Sequence, residues 1–285
     1  MDRILYYCFG GGLGHITRFR AFCHTLKIKP HLLTNTDVFP MKVELSAESI
    51  SVLPVEYGSD KAFLRKWFLG KLKEIRPEKV IVDAFPGGIL GELCDLLELD
   101  NVEIEYIARI LRVDSYEKRL CGQIPRISKI WQVENFDKKQ TFWLKELALQ
   151  NKSGIERLEL EYPVSTADFN ILLPENTWLI VHSGSEEELF QLWEFANETA
   201  LLEQDCPNFV VVGQSERPAF LKAEIPYYSI YPIGSLLEKA ERVVSAAGFN
   251  IIQQMKDMRH KHLVLPLERA LDNQYQRLIQ VGLAH

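Results

Sequence analysis

Short apolar runs recur along the 285-residue chain, each followed by a longer stretch in which apolar residues return every three or four positions. Short runs bounded by turn formers predict strands buried on both faces, and the 3.6-residue period predicts helices crossing between them. The alternation predicts an α/β fold with parallel sheets. In the first half the strands fall at 4–9, 31–34, 51–54, 80–83 and 102–108, with helices over 16–26, 61–75 and 89–97. Residues 112–162 read as less regular and as a connection between the halves. Strands resume at 178–182, 209–212, 228–231, 242–245 and 262–266, with helices near 185–199, 235–240, 249–257 and 271–281. Two domains are expected, residues 1–162 and 163–285, each with its own α/β rhythm.

Composition narrows the partners. A net charge of −6 argues against a general nucleic-acid binder. Cysteines 8, 23, 94, 121 and 206 are odd in number and scattered without a C-x-x-C pair, so neither a disulfide framework nor a zinc site is indicated. With no secretory leader pattern and no long apolar stretch, the sequence points to a cytoplasmic protein.

The loop "CFGGGLGHITR" (8–18) stands between the first strand and the first helix. Glycines there let backbone approach a ligand, and the following helix start favours negative charge. No G-K-[ST] follows, which excludes a Walker A loop. The dinucleotide fingerprint fits in part: Gly12 and Gly14 match and Asp37 is suitably spaced, but Thr17 replaces the third glycine. His15 reads either as a first-turn residue facing solvent or as an active-site group, and the loop alone leaves both open. Asp83 ends a strand before a Pro-Gly-Gly turn, where it either orients His15 or caps that turn.

In the second half, "RVVSAAGFNIIQQM" (242–255) predicts a strand, a small-residue turn and a helix opening near Gly248, an arrangement suited to a diphosphate. "LPLERALDNQYQ" (265–276) follows, with Asp272, Asn273 and Gln274 offering the paired hydrogen bonds that sugar hydroxyls require. "HKH" (260–262) reads as a solvated turn rather than a metal site, and "EEE" (186–188) as the first turn of a helix. The 61–79 segment places Phe63, Leu64, Trp67, Phe68, Leu72 and Ile75 on one helical face, read as core packing, with peripheral membrane contact as the minor reading.

The motifs "GGGLGH", "SAAGFN" and "PLERALDNQYQR" together resemble those of nucleotide-sugar glycosyltransferases built from two Rossmann-like domains facing across a cleft, the B-type fold. Within that group the resemblance is to the bacterial peptidoglycan N-acetylglucosaminyltransferase family. It implies that the N-terminal domain receives the acceptor and the C-terminal domain holds the UDP-sugar. It places His15 near the leaving phosphate and the acceptor; beside it, the residue reading has His15 or Asp83 assisting as base or orienter. Gly12 and Gly14 would face the cleft, and Ser183, Gly184 and Ser185 would lie against the diphosphate. Gly248, Phe249 and Asn250 would flank it, the backbone from Tyr231 to Ile233 would meet the base, and Asp272, Asn273 and Gln274 would meet the sugar. Where the family carries a glutamate for the ribose, this chain has Gln254, an amide without the charge that strengthens such a bond.

The reading that follows is a cytoplasmic, inverting hexosyltransferase that moves a hexose or N-acetylhexosamine to a glycan, lipid-linked or small-molecule acceptor. It needs no cofactor beyond the co-substrate, and the sequence holds no D-x-D pair for a metal. A nucleotide-sugar hydrolase of the same architecture and a non-catalytic sugar-nucleotide binder are the alternatives.

Overall fold

The computed structural model describes residues 3–37, 45–54, 60–163, 171–214 and 216–283. Its central strands send alternate residues into different cores. In β1 (Ile4–Cys8), Leu5 and Tyr7 enter one core while Tyr6 and Cys8 enter the other. Such a strand needs cover on both faces, which parallel strands with crossover helices supply.

The first sheet is parallel throughout. It contains β1, β2 (His31–Thr34), β3 (Ser49–Val52), β4 (Lys79–Asp83), β5 (Glu103–Ala108), β6 (Lys129–Gln132) and β7 (Gly154–Arg157), in the order β3-β2-β1-β4-β5-β6-β7. The helices between them are α1 (Gly14–Leu26), α2 (Lys61–Ile75), α3 (Val113–Glu117) and α4 (Lys138–Asn151). The second sheet is also parallel, with β8 (Thr177–Val181), β9 (Asn208–Gly213), β10 (Tyr227–Ser229), β11 (Arg242–Ala246) and β12 (His262–Leu265) in the order β10-β9-β8-β11-β12. Its helices are α5 (Glu186–Glu203), α6 (Gly234–Lys239), α7 (Phe249–Gln254) and α8 (Gln274–Gln280). These are two Rossmann-like units in one α/β chain.

Three expectations need correction. Residues 112–162 are no loose connection: they supply α3, β6, α4 and β7, and extend the first sheet by two strands. The strands are only four residues each, too short for a pattern to stand out in that charged stretch. No α-helix forms at 89–97, where turns lead into a 3-10 turn at Leu97–Leu99. Gly88 has φ +86, and the buried Glu92 carboxylate accepts from the Ile89 and Leu90 N–H groups and from the Tyr7 hydroxyl, so a side chain takes the place of helical carbonyls. "HKH" is not a solvated turn either, since His262 is buried at the start of β12 while His260 is exposed.

The apolar face of α2 is core. Leu64, Phe68 and Leu72 are buried, with Phe63, Trp67 and Ile75 packed against the same cluster, so this face is not presented to a membrane. Among the described residues no helix is long and apolar enough to cross a membrane.

The two units are joined by apolar and charged contacts. Tyr231 and Phe249 of the second unit share a core with Tyr6, Ile16 and Phe19 of the first. The Tyr231 hydroxyl donates to Thr17 Oγ1 (3.1 Å), and Asn250 Nδ2 donates to the Gly14 carbonyl (2.6 Å). Arg277 of α8 is fully buried and uses all five N–H donors. Nε and Nη2 reach Glu134 (2.8 and 3.0 Å), Nη1 and Nη2 reach Asp272 (3.0 and 2.7 Å), and Nη1 also reaches the Ala247 carbonyl (2.8 Å). Removing one member of such a pair strands buried charge, at a cost of about 3–5 kcal/mol. Arg277→Met should lower unfolding free energy by about that amount in denaturant titration, because Glu134 and Asp272 remain. A loss under about 1 kcal/mol would show that water takes over the role of the guanidinium.

Candidate active site

In an open parallel sheet, ligands bind beyond the carboxyl ends of strands where the winding direction reverses. That point lies between β1 and β4 in the first sheet and between β8 and β11 in the second. Segments beyond those strand ends, 10–15, 182–185 and 248–250, all line one cleft of about 1400 Å³ between the units. Gly12 has φ +68, and a Cβ there would meet the Ser183 carbonyl oxygen at 3.0 Å, so the glycine loop touches the facing unit. A Cβ on Gly10 would fall 1.8 Å from His15 Nε2, so a side chain at this position would collide with that nitrogen.

His15 lies in the first turn of α1, on the cleft, and is buried rather than solvent-facing; the helix cap position is Leu13. Its Nδ1 meets Asp83 Oδ2 at 2.5 Å. Arg18, one turn further along α1, donates Nε to Asp83 Oδ1 (2.5 Å) and Nη2 to Oδ2 (2.7 Å). Burial opposes ionisation of Asp83, but Arg18 and then His15 outweigh it and hold the carboxyl well below the usual range. Burial likewise lowers the His15 pKa, against the upward pull of Asp83. The imidazole is therefore neutral near pH 7. With Nδ1–H donating to the carboxylate, Nε2 keeps its lone pair.

Cys8, His15 and Asp83 offer ligand atoms within 4.8 Å of one another. They do not fit a cation. Arg18 already engages both Asp83 oxygens, and burial raises the Cys8 thiol well above its usual pKa, keeping it protonated.

The facing wall holds the other sequence candidates. Ser183, Gly184 and Ser185 line the cleft, and Ser185 caps α5 with Glu188 in a reciprocal capping box. Tyr231 and Ile233 line it before α6, as do Gly248, Phe249 and Asn250 at the start of α7. Gly248 caps α7 without a side-chain bond, and the Phe249 ring lies 5.5 Å from the Arg18 guanidinium. Asn250 is occupied by Gly14 and by the Tyr162 hydroxyl (3.1 Å). Gln254 lines the cleft, its Nε2 donating back to the Asn250 carbonyl (3.3 Å).

The Asp272–Gln274 cluster divides. Asp272 lines the cleft but is bound by Arg277 and by Arg109 Nη1 (2.8 Å); burial opposes its ionisation, while those two arginines hold its pKa down to about 2. Gln274 also lines the cleft, with its Oε1 accepting from the Leu267 N–H (2.8 Å). Asn273 caps α8 by accepting from the Gln276 N–H (3.1 Å), and is not among the residues lining the cleft.

Sequence reading missed Arg18, Arg109, His182 and Glu188. His182 directly follows β8, and its Nε2 donates to Glu188 Oε2 (2.8 Å), which also accepts from Arg269 Nη2 (2.8 Å). Burial lowers the His182 pKa. Its signal was the spacing His182 to Glu188 across a strand-to-helix turn. Arg18 could have been read from its i,i+3 spacing to His15. Ser245 lines the cleft, its Oγ lies 2.8 Å from His262 Nε2, and burial, aided by Arg259, lowers the His262 pKa to about 4.

The geometry is that of the glycosyltransferase B-type fold. The chain is similar to a solved structure of a kitacinnamycin glycosyltransferase at 14% identity, covering 99% of this chain and 84% of that one, with a TM-score of 0.60. It is similar to a spinosyn rhamnosyltransferase complexed with thymidine diphosphate, at 10% identity over 98% and 90% of the two chains, TM-score 0.54. A Methanocaldococcus jannaschii UDP-GlcNAc 2-epimerase complexed with UDP-GlcNAc and UDP gives 12% identity over 98% and 92%, TM-score 0.55. No protein-family model and no curated protein matches the sequence. At these identities the likeness is one of fold.

The buried histidines also set a pH dependence. An unfolded chain takes up protons near the ordinary value of 6.5, whereas native His15, His182 and His262 resist them, so native stability should fall as pH drops through 6.5. For His262, lowered to about 4, the loss between pH 7 and pH 5 is about 2 kcal/mol. Denaturant titrations of wild type and His262→Gln at the two pH values should show a shallower decline in the variant. Equal declines would mean that native His262 titrates as it does when unfolded.

Proposed function

We propose that the chain is a nucleotide-sugar glycosyltransferase that moves a hexose or N-acetylhexosamine, from a UDP-linked donor, to an acceptor hydroxyl. The observation that carries this reading is the neutral His15, held by Asp83 with Nε2 unengaged, on the floor of a cleft whose facing wall is built of small-residue loops. The acceptor is assigned to residues 1–162 and the donor to 163–285. Support for the donor comes from the fold, shared with glycosyltransferases and with an epimerase complexed with UDP-GlcNAc.

In this mechanism His15 Nε2 takes the proton of the acceptor hydroxyl while the hydroxyl oxygen attacks the anomeric carbon. The bond from that carbon to the diphosphate oxygen breaks on the opposite side, so configuration inverts. The imidazolium that forms is stabilised by Asp83, which has already been positioned by Arg18. The departing UDP lies between residues 183–185 and 248–250, whose backbone N–H groups take the place of a metal. Tyr231 to Ile233 meet the base, and Gln254 meets the ribose. Five free cysteines, three of them buried, suit a cytoplasmic enzyme.

A second reading is an enzyme that acts on the UDP-sugar without an acceptor, by hydrolysis or by epimerisation. It is favoured by the second histidine–carboxylate pair on the cleft, His182 with Glu188, which would give the sugar an acid/base group on either side.

The test is to incubate the full chain with UDP-sugars, with and without candidate acceptors, and to follow free UDP and the sugar product. Acceptor-dependent release supports transfer; release or a changed sugar without acceptor supports the second reading; no turnover of any UDP- or dTDP-sugar overturns both. His15→Ala should lower turnover by about a hundredfold or more. Because Arg18 still neutralises Asp83 in that variant, UDP affinity and melting temperature should stay near wild type. Retained turnover per folded molecule would remove His15 from the mechanism.

A further inference from the structure

One guanidinium on the cleft has an incomplete set of partners. Arg109 follows β5 directly and is 7% exposed. Its Nη1 donates to the Ile110 carbonyl (3.0 Å) and to Asp272 Oδ1 (2.8 Å). Its Nε is buried and, among the described residues, has no hydrogen-bond partner. Buried donors of this kind are rare in native proteins because leaving one unmade is costly, more so for a charged group. Arg277, fully buried and bound to the same Asp272, leaves no donor idle.

The neighbouring carboxylates do not supply the missing partner. Asp83 is matched by Arg18, and Glu134 by Arg277. Asp272 balances the charge of Arg109 but gives both oxygens to Arg277 and only one to Arg109, at Nη1. Arg109 also lies in the opposing field of Arg18 and Arg277, offset in part by Glu134. An oxyanion bound at the Nε edge would complete the hydrogen bonds, in the side-on geometry that guanidinium favours.

The place of this edge identifies which ligand would bring the anion. Arg109 sits at the end of a first-sheet strand, and the Phe85 ring lies 5.6 Å from its guanidinium and 5.9 Å from the His15 ring. Ile89, Arg119 and Leu271 line the cleft with it. The loops assigned to the donor diphosphate, 183–185 and 248–250, belong to the second sheet. We propose that Arg109 docks a carboxylate or phosphate group of the acceptor, so that the acceptor is an anionic hydroxyl compound held with its hydroxyl toward His15. This rests on the transferase reading for the word acceptor, while the anion site itself does not. Through Nη1 the same guanidinium holds Asp272, which couples the anion to the residue expected at the donor sugar.

The experiment titrates inorganic phosphate and, separately, acetate into the full chain, with and without saturating UDP. It follows the Arg109 Nε–H resonance by nuclear magnetic resonance, assigned through its own backbone amide. One of the two anions should shift that resonance in the presence of UDP and show which oxyanion the site prefers. R109K keeps a cation for Asp272 but lacks the Nε edge. It should bind the effective anion about tenfold or more weakly in calorimetry, while UDP affinity stays within about twofold. No shift with either anion overturns the proposal, and so does a tenfold loss of UDP affinity in R109K, which would assign Arg109 to the donor. If wild type fails to bind UDP, the donor reading falls, and the titration without UDP still decides the anion site. Because the resonance is read in wild type, the test survives a poorly folding variant.

Discussion

The buried carboxylate of Asp83 is the constraint around which the site is arranged. It ends β4 at a point where water is excluded, and an ion there persists only if its oxygens are matched. Arg18 supplies the charge through two hydrogen bonds, leaving His15 free to bind the same carboxylate through Nδ1–H without taking up a second proton. Burial lowers the His15 pKa most, Asp83 pulls it up, and the Arg18 charge works against that pull. The i,i+3 spacing of the two residues on α1 is what lets both reach the strand end.

A second set of buried charges fixes the relation of the two sheets. Glu134 lies after β6 of the first sheet and Arg277 in α8 beyond the second, and their paired hydrogen bonds hold the units together. Alongside it, α1 is packed between its own sheet and the aromatic residues Tyr231 and Phe249 of the other unit. The floor of the cleft is thus made by the same contacts that join the units. A residue such as Asn250, clipped to Gly14 and Tyr162, serves the joint and lines the cleft at once.

Much of the architecture was legible because strands buried on both faces leave uninterrupted apolar runs, and His31–Thr34 and Lys61–Ile75 fall where the pattern places them. The glycine loop announced a close backbone approach, and Gly12 makes one with Ser183. What stayed hidden depends on long-range partners. Nothing local marks Glu92 as the group that replaces a helix at 89–97, since Tyr7 lies 85 residues away. Nor does "LDNQYQ" reveal that Asp272 is held between two arginines, one of them 163 residues distant. Polar residues at a helix start look alike in sequence whether they face a sugar, cap the helix as Asn273 does, or hold a backbone N–H as Gln274 does.

The central claim is that His15 is a neutral imidazole with its proton on Nδ1 and a lone pair on Nε2. Nitrogen-15 resonances of the histidine rings, with His15 identified by its loss in a variant, report this directly at pH 7. The account predicts a protonated Nδ1 coupled to Asp83 and an unprotonated Nε2. A doubly protonated ring, or a proton on Nε2 alone, would contradict it, because neither form could accept a proton from a substrate hydroxyl.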